Sequence, residues 1–279
     1  MSDQADRAKR FLALHEAEKP LLLPNPWDRG SAKLFASLGF EALATTSSGS
    51  AATLGRLDGA MTAEEALASA AEIVEATALP VSADLENGFA DDPEGVAETL
   101  RLALAAGLAG ASIEDYSGGD EASLYEIGHA AERVAAAAEV AHGGPVRLVL
   151  TARAENHLRG VDDLGDTIAR LRAYEEAGAD VLYAPGLRSL EDIRRVVSSV
   201  GLPVNVLAFP GVPSVPKLAA AGVRRVSVGG AFAFAALGAT VEAAQELLDA
   251  GTYGYLERTG LGLKFARPAF AEAPEEPAS

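Results

Sequence analysis

The stretch Pro80-Val81-Ser82-Ala83-Asp84-Leu85-Glu86-Asn87-Gly88 reads as a short buried strand over residues 81–85 that runs into a turn at Gly88. Side chains two apart on a strand share a face, so the spacing predicts that Asp84 and Glu86 project together from its C-terminal end. Two carboxylates side by side repel, and a positive group between them relieves the repulsion. A divalent cation with oxygen ligands fits that place, and Mg²⁺ commonly takes only one or two carboxylates. A solvated acidic turn is the plainer reading of the same residues, and the surrounding chain decides between them.

On both sides of this stretch, helices and short strands alternate. Upstream, residues 3–18 form an N-terminal helix with Phe11, Leu12 and Leu14 on or near one face. Leu21-Leu22-Leu23 is a first strand, stopped by Pro24-Asn25-Pro26-Trp27. Asp28 caps a helix with Leu34, Phe35 and Leu38 at helical spacing, and Gly39 ends it. Residues 41–45 form a second strand that enters the hydroxyl-rich run Thr46-Ser47-Ser48-Gly49. Thr62 and Glu65 form a capping box ahead of a helix carrying Leu67, Ala71 and Val74. Downstream, Asp92-Pro93 opens a helix closed by Gly107. Residues 109–113 are a strand ending at Glu114-Asp115, an Ala-rich helix covers 123–141, and 145–152 is a strand ending at Arg153. Strands at 180–184, 203–207 and 223–228 follow, each with its helix, the last helix being Ala-rich over 232–250.

Strict alternation of this kind demands a parallel sheet covered by helices. Eight strand–helix units in about 250 residues fit an α/β fold of the (β/α)8, or TIM, barrel type. A doubly wound open sheet is the alternative. That fold usually opens with a Gly-rich phosphate turn after its first strand, and here the turn is Asn25-Pro26-Trp27-Asp28. We expect one barrel domain over residues 1–255. Residues 256–279 are expected to form a C-terminal extension, partly disordered, whose end is rich in Pro and Glu.

Composition excludes several classes. The 279-residue chain has no cysteine, so disulfides, thiol catalysis, Cys-ligated zinc and iron–sulfur clusters are out. A net charge of −17 opposes binding to nucleic acid. No apolar run reaches the roughly 18 residues of a membrane span, and the polar residues 1–10 do not read as a signal peptide. We therefore expect a cytoplasmic protein without membrane or nucleic-acid partners.

In a barrel of this kind the active site lies at the C-terminal ends of the strands. Taken in order, those ends supply Asn25 and Trp27; Thr45, Thr46, Ser47 and Ser48; Asp84 and Glu86; Glu114 and Asp115; Arg153 and Glu155; Pro185-Gly186; Asn205; and Ser227 with Gly229. None of Lys9, Lys19, Lys33, Lys217 and Lys264 ends a strand, which argues against a Schiff-base aldolase. Of the four histidines only His157 lies near these ends, too few for a His-rich metal site. Gly229-Gly230 ahead of a helix keeps a phosphate-binding barrel open. The acidic cluster with one arginine and several hydroxyls suits Mg²⁺, or Mn²⁺, chelated by a 2-oxo acid. Such a metal stabilises the enolate formed when a bond at C3 breaks, while Arg153 holds a carboxylate or developing oxyanion. The hydroxyls and amides of Thr46, Ser47, Ser48 and Gly49 would bind that carboxylate, and Asn205 is a further candidate substrate contact.

The sequence resembles the isocitrate lyase/phosphoenolpyruvate mutase superfamily over roughly residues 10–250. The matching residues are Trp27-Asp28 with Ser31-Ala32, Thr45-Thr46-Ser47-Ser48-Gly49, Leu54-Gly55 with Asp58-Gly59, Asp84-Leu85-Glu86-Asn87-Gly88, Ile113-Glu114-Asp115, Ala152-Arg153, Ala177-Gly178-Ala179-Asp180, and Gly222-Val223 through Ser227-Val228-Gly229. The resemblance implies a Mg²⁺-dependent (β/α)8 barrel acting on 2-oxo acids or forming them. It also implies a homo-oligomer, dimer or tetramer, whose final helix is exchanged between subunits. Asp84 would be the direct metal ligand, with Asp58, Glu86 and Glu114 holding metal-bound water and Arg153 binding substrate. Isocitrate and methylisocitrate lyases of the superfamily carry a Lys-Lys-Cys-Gly-His loop after the fourth strand. Here that place reads Tyr116-Ser117-Gly118-Gly119-Asp120. The expected activity is a carbon–carbon lyase or decarboxylase on a small 2-oxo or 2-hydroxy acid. Phosphonopyruvate hydrolase or phosphoenolpyruvate mutase chemistry, and a non-catalytic barrel that binds a 2-oxo acid, stay open.

Overall fold

A computed structural model describes residues 2–118 and 123–271. Part of the loop after the fourth strand, Gly119 and Asp120 included, and the acidic end 272–279 lie outside the described residues. The chain runs α1 (Ser2–Leu14), β1 (Leu21–Leu23), α2 (Arg29–Ser37), β2 (Leu43–Ala44), α3 (Ser47–Thr53), α4 (Ala63–Glu75), β3 (Val81–Asp84), α5 (Pro93–Ala105), β4 (Gly110–Glu114) and α6 (Ile127–His142). It continues β5 (Val149–Arg153), α7 (Leu164–Glu176), β6 (Val181–Tyr183), α8 (Leu190–Ser199), β7 (Val204–Leu207), α9 (Val215–Ala220), β8 (Arg225–Ser227), α10 (Ala231–Asp249) and α11 (Leu256–Phe270).

All strand pairs are parallel, in the order β1-β8-β7-β6-β5-β4-β3-β2. The register aligns Leu22 with Val226 and Glu114 with Arg153. The gap between β2 and β1 is bridged by one backbone bond, from Ala44 N–H to the Pro24 carbonyl at 3.1 Å. This is the expected TIM barrel. The local signals that set its helices are present. Asp28, Thr62, Asp92 and Asp163 each accept the backbone N–H three residues on. Gly39, Gly107, Gly178 and Gly222 take the left-handed backbone that ends a helix before the next strand.

Three segments differ from expectation. The run Ser47–Thr53 is a helix, because the Thr46 hydroxyl accepts the Gly49 N–H and caps it. Its sequence, SSGSAAT, has no apolar periodicity to announce that. Helix α6 starts at Ile127, because the chain before it folds back through a Tyr116–Leu124 bridge. Residues 256–270, expected only as part of an extension, form α11.

The N-terminal end of the barrel is plugged by α1. Its Phe11 is fully buried against Gly110, where a Cβ would lie 2.8 Å from both the Phe11 ring and the Val149 carbonyl. The Gln4 amide ties the same helix to the Leu104 and Leu108 carbonyls. His15 follows, with Nδ1 2.8 Å from the Phe11 carbonyl and Nε2 3.5 Å from Arg225 Nη1. Burial, with the Arg225 charge beside it, lowers the His15 pKa to about 3.

Helix α10 leaves the barrel after its first turn. Ala233 is its one buried residue, and Phe232 packs on Phe35 of α2 at 5.6 Å between ring centres. Beyond that turn Phe234, Leu237 and Val241 are exposed. Leu22 on β1 is also 43% exposed, an outward position that a barrel helix normally covers. The expectation that no segment has the length and hydropathy of a membrane span is corrected here. The 19 residues of α10 have a mean hydropathy of 1.2 over their most apolar window. Glu242 and Glu246 lie within it, and a charge in mid-bilayer costs about 3 kcal/mol.

Because His15 is neutral in the fold and ordinary when unfolded, the unfolded chain takes up the proton first as pH falls. Stability therefore drops from pH 6.5 downward toward the folded value. Comparing wild type with His15→Gln in urea titrations at several pH values should show wild type losing about 3 kcal/mol more between pH 6.5 and 4. Parallel curves for the two proteins would refute the buried neutral histidine.

Candidate active site

The C-terminal mouth of the barrel is organised by Arg153, the last residue of β5. Its Nη1 is 2.8 Å from Asp84 Oδ1 at the end of β3, and its Nη2 is 3.0 Å from Glu114 Oε2 at the end of β4. Its Nε donates to Glu155 Oε1 at 2.9 Å, and the guanidinium lies over the Tyr183 ring of β6 at 5.2 Å. Burial works against its charge, but Glu155, Glu114 and Asp84 more than offset it, and its pKa rises. Arg159 completes the group. It reaches Glu114 Oε1 at 3.4 Å and Glu155 Oε2 at 3.9 Å, and stacks over Tyr116 at 3.7 Å.

Asp84 and Glu86 come together, though not by the strand alternation that the sequence suggests. The strand stops at Asp84, and Glu86 has a left-handed backbone with φ 48°. The turn, not the pleat, delivers its carboxylate. Burial first, then the nearby charges of Asp84 and Asp58, push the Glu86 pKa up to about 7. Burial likewise raises Glu114 and Glu155. Asp58 joins from the loop between α3 and α4. Five carboxylates thus share the mouth with two guanidiniums.

Two connected spaces open among these groups. An outer one of about 390 Å³ is lined by Asp58, Glu86, Glu114, Tyr116, Arg153 and Arg159. An inner shaft of about 150 Å³ is lined by Thr45, Thr46, Ser47, Ser48, Asp84 and Arg153, and continues down the barrel to Arg225. Ser47, Asp58, Arg153 and Leu158 border both. A larger opening of about 630 Å³, lined by His157, Arg188 and Phe209, shares Leu158 and Leu207 with the shaft but none of the five carboxylates.

Among the predicted site residues, Asp84, Glu86, Glu114, Asp58, Arg153, Thr46, Ser47 and Ser48 are brought together. Two are not. The Gly49 N–H is taken by the Thr46 hydroxyl, and the residue is buried against Trp27 and Ala233. Asn205 lies lower in the barrel, where its amide bonds Ser227 Oγ and its carbonyl accepts from Arg225. Asp115 faces away from the mouth. It accepts the Tyr174 hydroxyl, Arg170 Nη1 and the Glu155 N–H, and so fixes the backbone that carries Glu155. Arg159 and Tyr183 were not singled out in the sequence. Arg159 sits four residues after Glu155, within reach on one turn, and Tyr183 ends β6.

The donor set fits a hard divalent cation. All donors are carboxylate oxygens, and Glu155 Oε2 is buried without a hydrogen-bond partner. Among the described residues no three acidic or histidine side chains converge to cage an ion alone. The donor set therefore suits a hard ion that keeps much of its water.

A barrel with an acidic, arginine-clamped mouth at its C-terminal face is the frame of an enzyme. The model of the phosphoenolpyruvate phosphomutase family matches residues 11–248. The chain belongs to that family, within the PEP mutase/isocitrate lyase superfamily. A solved structure of a candidate lyase/mutase from Burkholderia cenocepacia J2315 is 49% identical, with TM-score 0.93, covering 97% of this chain and 98% of that one. The 2-methylisocitrate lyase of Halalkalibacterium halodurans is 31% identical over 75% of this chain and 71% of its own length. The oxaloacetate decarboxylase of Ectopseudomonas mendocina is 29% identical over 85% and 82%. The relatives of this chain thus include carbon–carbon lyases of small organic acids.

Substituting Asp115 by Ala leaves Arg170 with Asp166 as its one carboxylate and the Tyr125 carbonyl beside it, and unties Glu155. We expect a loss of about 3 kcal/mol in urea unfolding. A loss below about 1 kcal/mol would show that Asp115 is not the anchor described.

Proposed function

We propose that this chain is a divalent-metal-dependent lyase or decarboxylase that breaks a C–C bond of a small 2-oxo or 2-hydroxy di- or tricarboxylic acid by way of an enolate. The observation that carries this reading is the surplus of carboxylates around Asp84, set directly against Arg153. Asp84 would hold Mg²⁺ or Mn²⁺, with Asp58, Glu86 and Glu114 acting through water. When bound, the ion supplies Lewis acidity for developing negative charge.

The chain's own residues do the rest. Glu114 and Glu155 fix the Arg153 guanidinium, so releasing Asp84 frees Nη1 for a substrate carboxylate oxygen without moving the arginine. The hydroxyls of Thr46, Ser47 and Ser48 line the shaft beside it and orient that carboxylate. Burial and the charges of Asp84 and Asp58 raise the Glu86 carboxyl, and a cation at Asp84 would lower it again. Leu158 borders both spaces. With no cysteine in the chain, no thiol protonates the enolate. Loss of CO₂ needs no acid on the leaving group, which favours an oxaloacetate-like substrate. P–C bond chemistry is the second reading, favoured by the family's own description.

The decisive measurement is a turnover screen with and without Mg²⁺ on oxaloacetate, isocitrate, methylisocitrate, malate homologues and phosphonopyruvate. We expect Mg²⁺-dependent pyruvate or glyoxylate from a C–C substrate. Phosphate or a rearranged phosphonate would transfer the assignment to P–C chemistry. Asp84→Ala should abolish Mg²⁺-dependent ligand binding, and binding at the wild-type level would remove the metal assignment.

The exposed face of α10 and the exposed Leu22 support a homo-oligomer in which α10 packs on a neighbouring barrel. Leu237→Glu with Val241→Glu should lower the mass measured by light scattering on a sizing column. An unchanged mass would exclude α10 from the subunit contact.

A further inference from the structure

The interior of a TIM barrel is normally filled by layers of bulky branched side chains. Here β3, β4 and β5 place Ser82, Ser112 and Thr151 at that level, and β8 places Arg225. Arg225 is buried, at 4% exposure, and lines the lower part of the shaft. Its Nε donates to Asn205 Oδ1 at 3.0 Å, and its Nη1 to Thr151 Oγ1 at 3.0 Å and to His15 Nε2 at 3.5 Å. Every one of these acceptors is neutral. His15 belongs with them, because burial keeps it uncharged and its Nδ1 is engaged by the Phe11 carbonyl. Nη2 has no acceptor among the described residues.

The other buried arginines differ. Arg153 and Arg170 face carboxylates, and Arg133 donates to the carbonyls of Asn87, Ala90 and Glu114. No carboxylate forms an ion pair with Arg225 among the described residues. Burial lowers its pKa to about 10, with Tyr183 opposing the shift and Arg153 adding to it. An unpaired buried cation is costly unless something compensates it. The shaft above it is lined by Ser82, Ser112 and Ser227, hydroxyls that can donate to an anion.

We propose that Arg225 is the floor of the substrate site and receives a carboxylate of the ligand through Nη2. This rests on the reading of the shaft as the substrate cavity, and it narrows the substrate class. With one carboxylate at Arg225 and the other at the rim by Arg153, the ligand is a small dicarboxylate. A volume of about 150 Å³ leaves room for a short carbon chain only, below the usual range for ligand pockets.

The test uses the full chain with Mg²⁺, with malonate as probe and calorimetry as readout. Wild type should bind malonate, whose second carboxylate meets Arg153 once the ion holds Asp84. Arg225→Met should weaken that binding at least tenfold, and Arg225→Lys should restore part of it. Equal affinities in the three proteins would overturn the proposal. Should Arg225→Met fail to fold, malonate soaked into wild-type crystals decides. Density bonded to Arg225 Nη2 supports the proposal. Malonate confined to the rim, absent, or bound at crystal concentration only, overturns it. Mn²⁺ binding, followed by electron paramagnetic resonance, separates this from the metal reading. It should be kept in Arg225→Met and lost in Asp84→Ala, and a wild type that binds malonate but no Mn²⁺ would count against the metal alone.

Discussion

The mouth of this barrel depends on one buried guanidinium. Arg153 joins the ends of three consecutive strand segments through Asp84, Glu114 and Glu155. Removing any of these ions from water costs several kcal/mol, and only close, hydrogen-bonded pairing returns it. The geometry meets that condition, since Nε, Nη1 and Nη2 each have their own carboxylate. A second ring stands behind it. Asp115, Arg170 and Tyr174 are buried and mutually bonded, and they hold the Glu155 backbone where Arg153 needs it. Asp84, Glu114 and Arg153 come from strand ends, while Asp58, Glu86, Glu155 and Arg159 come from the segments between elements.

Much of this could be read from the chain alone, for a physical reason. In a parallel barrel every strand end faces the same rim, so listing strand ends lists the rim. That reasoning found Asp84, Glu114 and Arg153, and the cap and glycine signals bounded most helices. It failed where side-chain direction does not follow from strand periodicity. Glu86 reaches the site through a left-handed turn, and Gly49 is turned inward by a helix too short and too apolar-poor to show a pattern. Asn205 belongs to the same strand level as Arg225, one step below the rim, and strand boundaries read from sequence are not sharp enough to separate the two levels. Arg159 and Arg225 carry no motif of their own; their meaning lies in what faces them.

The shaft has a consequence for stability. Replacing a branched apolar plug by Ser82, Ser112, Thr151, Asn205 and Arg225 sacrifices dispersion contacts and apolar burial in the middle of the barrel. The compensation is at the bottom, where Phe11 seals the floor against Gly110 and neutral His15 turns an acceptor toward Arg225. Helix α1 thus closes the floor, and burial beneath it keeps His15 neutral.

Charge settles how such a molecule can take an acid at all. With a net charge of −17, the chain as a whole repels anions. At the rim five carboxylates outnumber two guanidiniums, so the mouth alone does the same. A divalent ion at Asp84 would offset most of that excess, and Arg225 keeps a positive centre beneath it that no carboxylate among the described residues pairs with. Screening over about 8 Å in physiological salt removes most of the distant surface charge, while groups inside the shaft act through a low-dielectric interior and are screened far less. On the proposed reading, an entering dicarboxylate would meet Arg153 and Arg159 at the rim and Arg225 below them, and an acid with a single carboxylate would answer only one of these two positive centres.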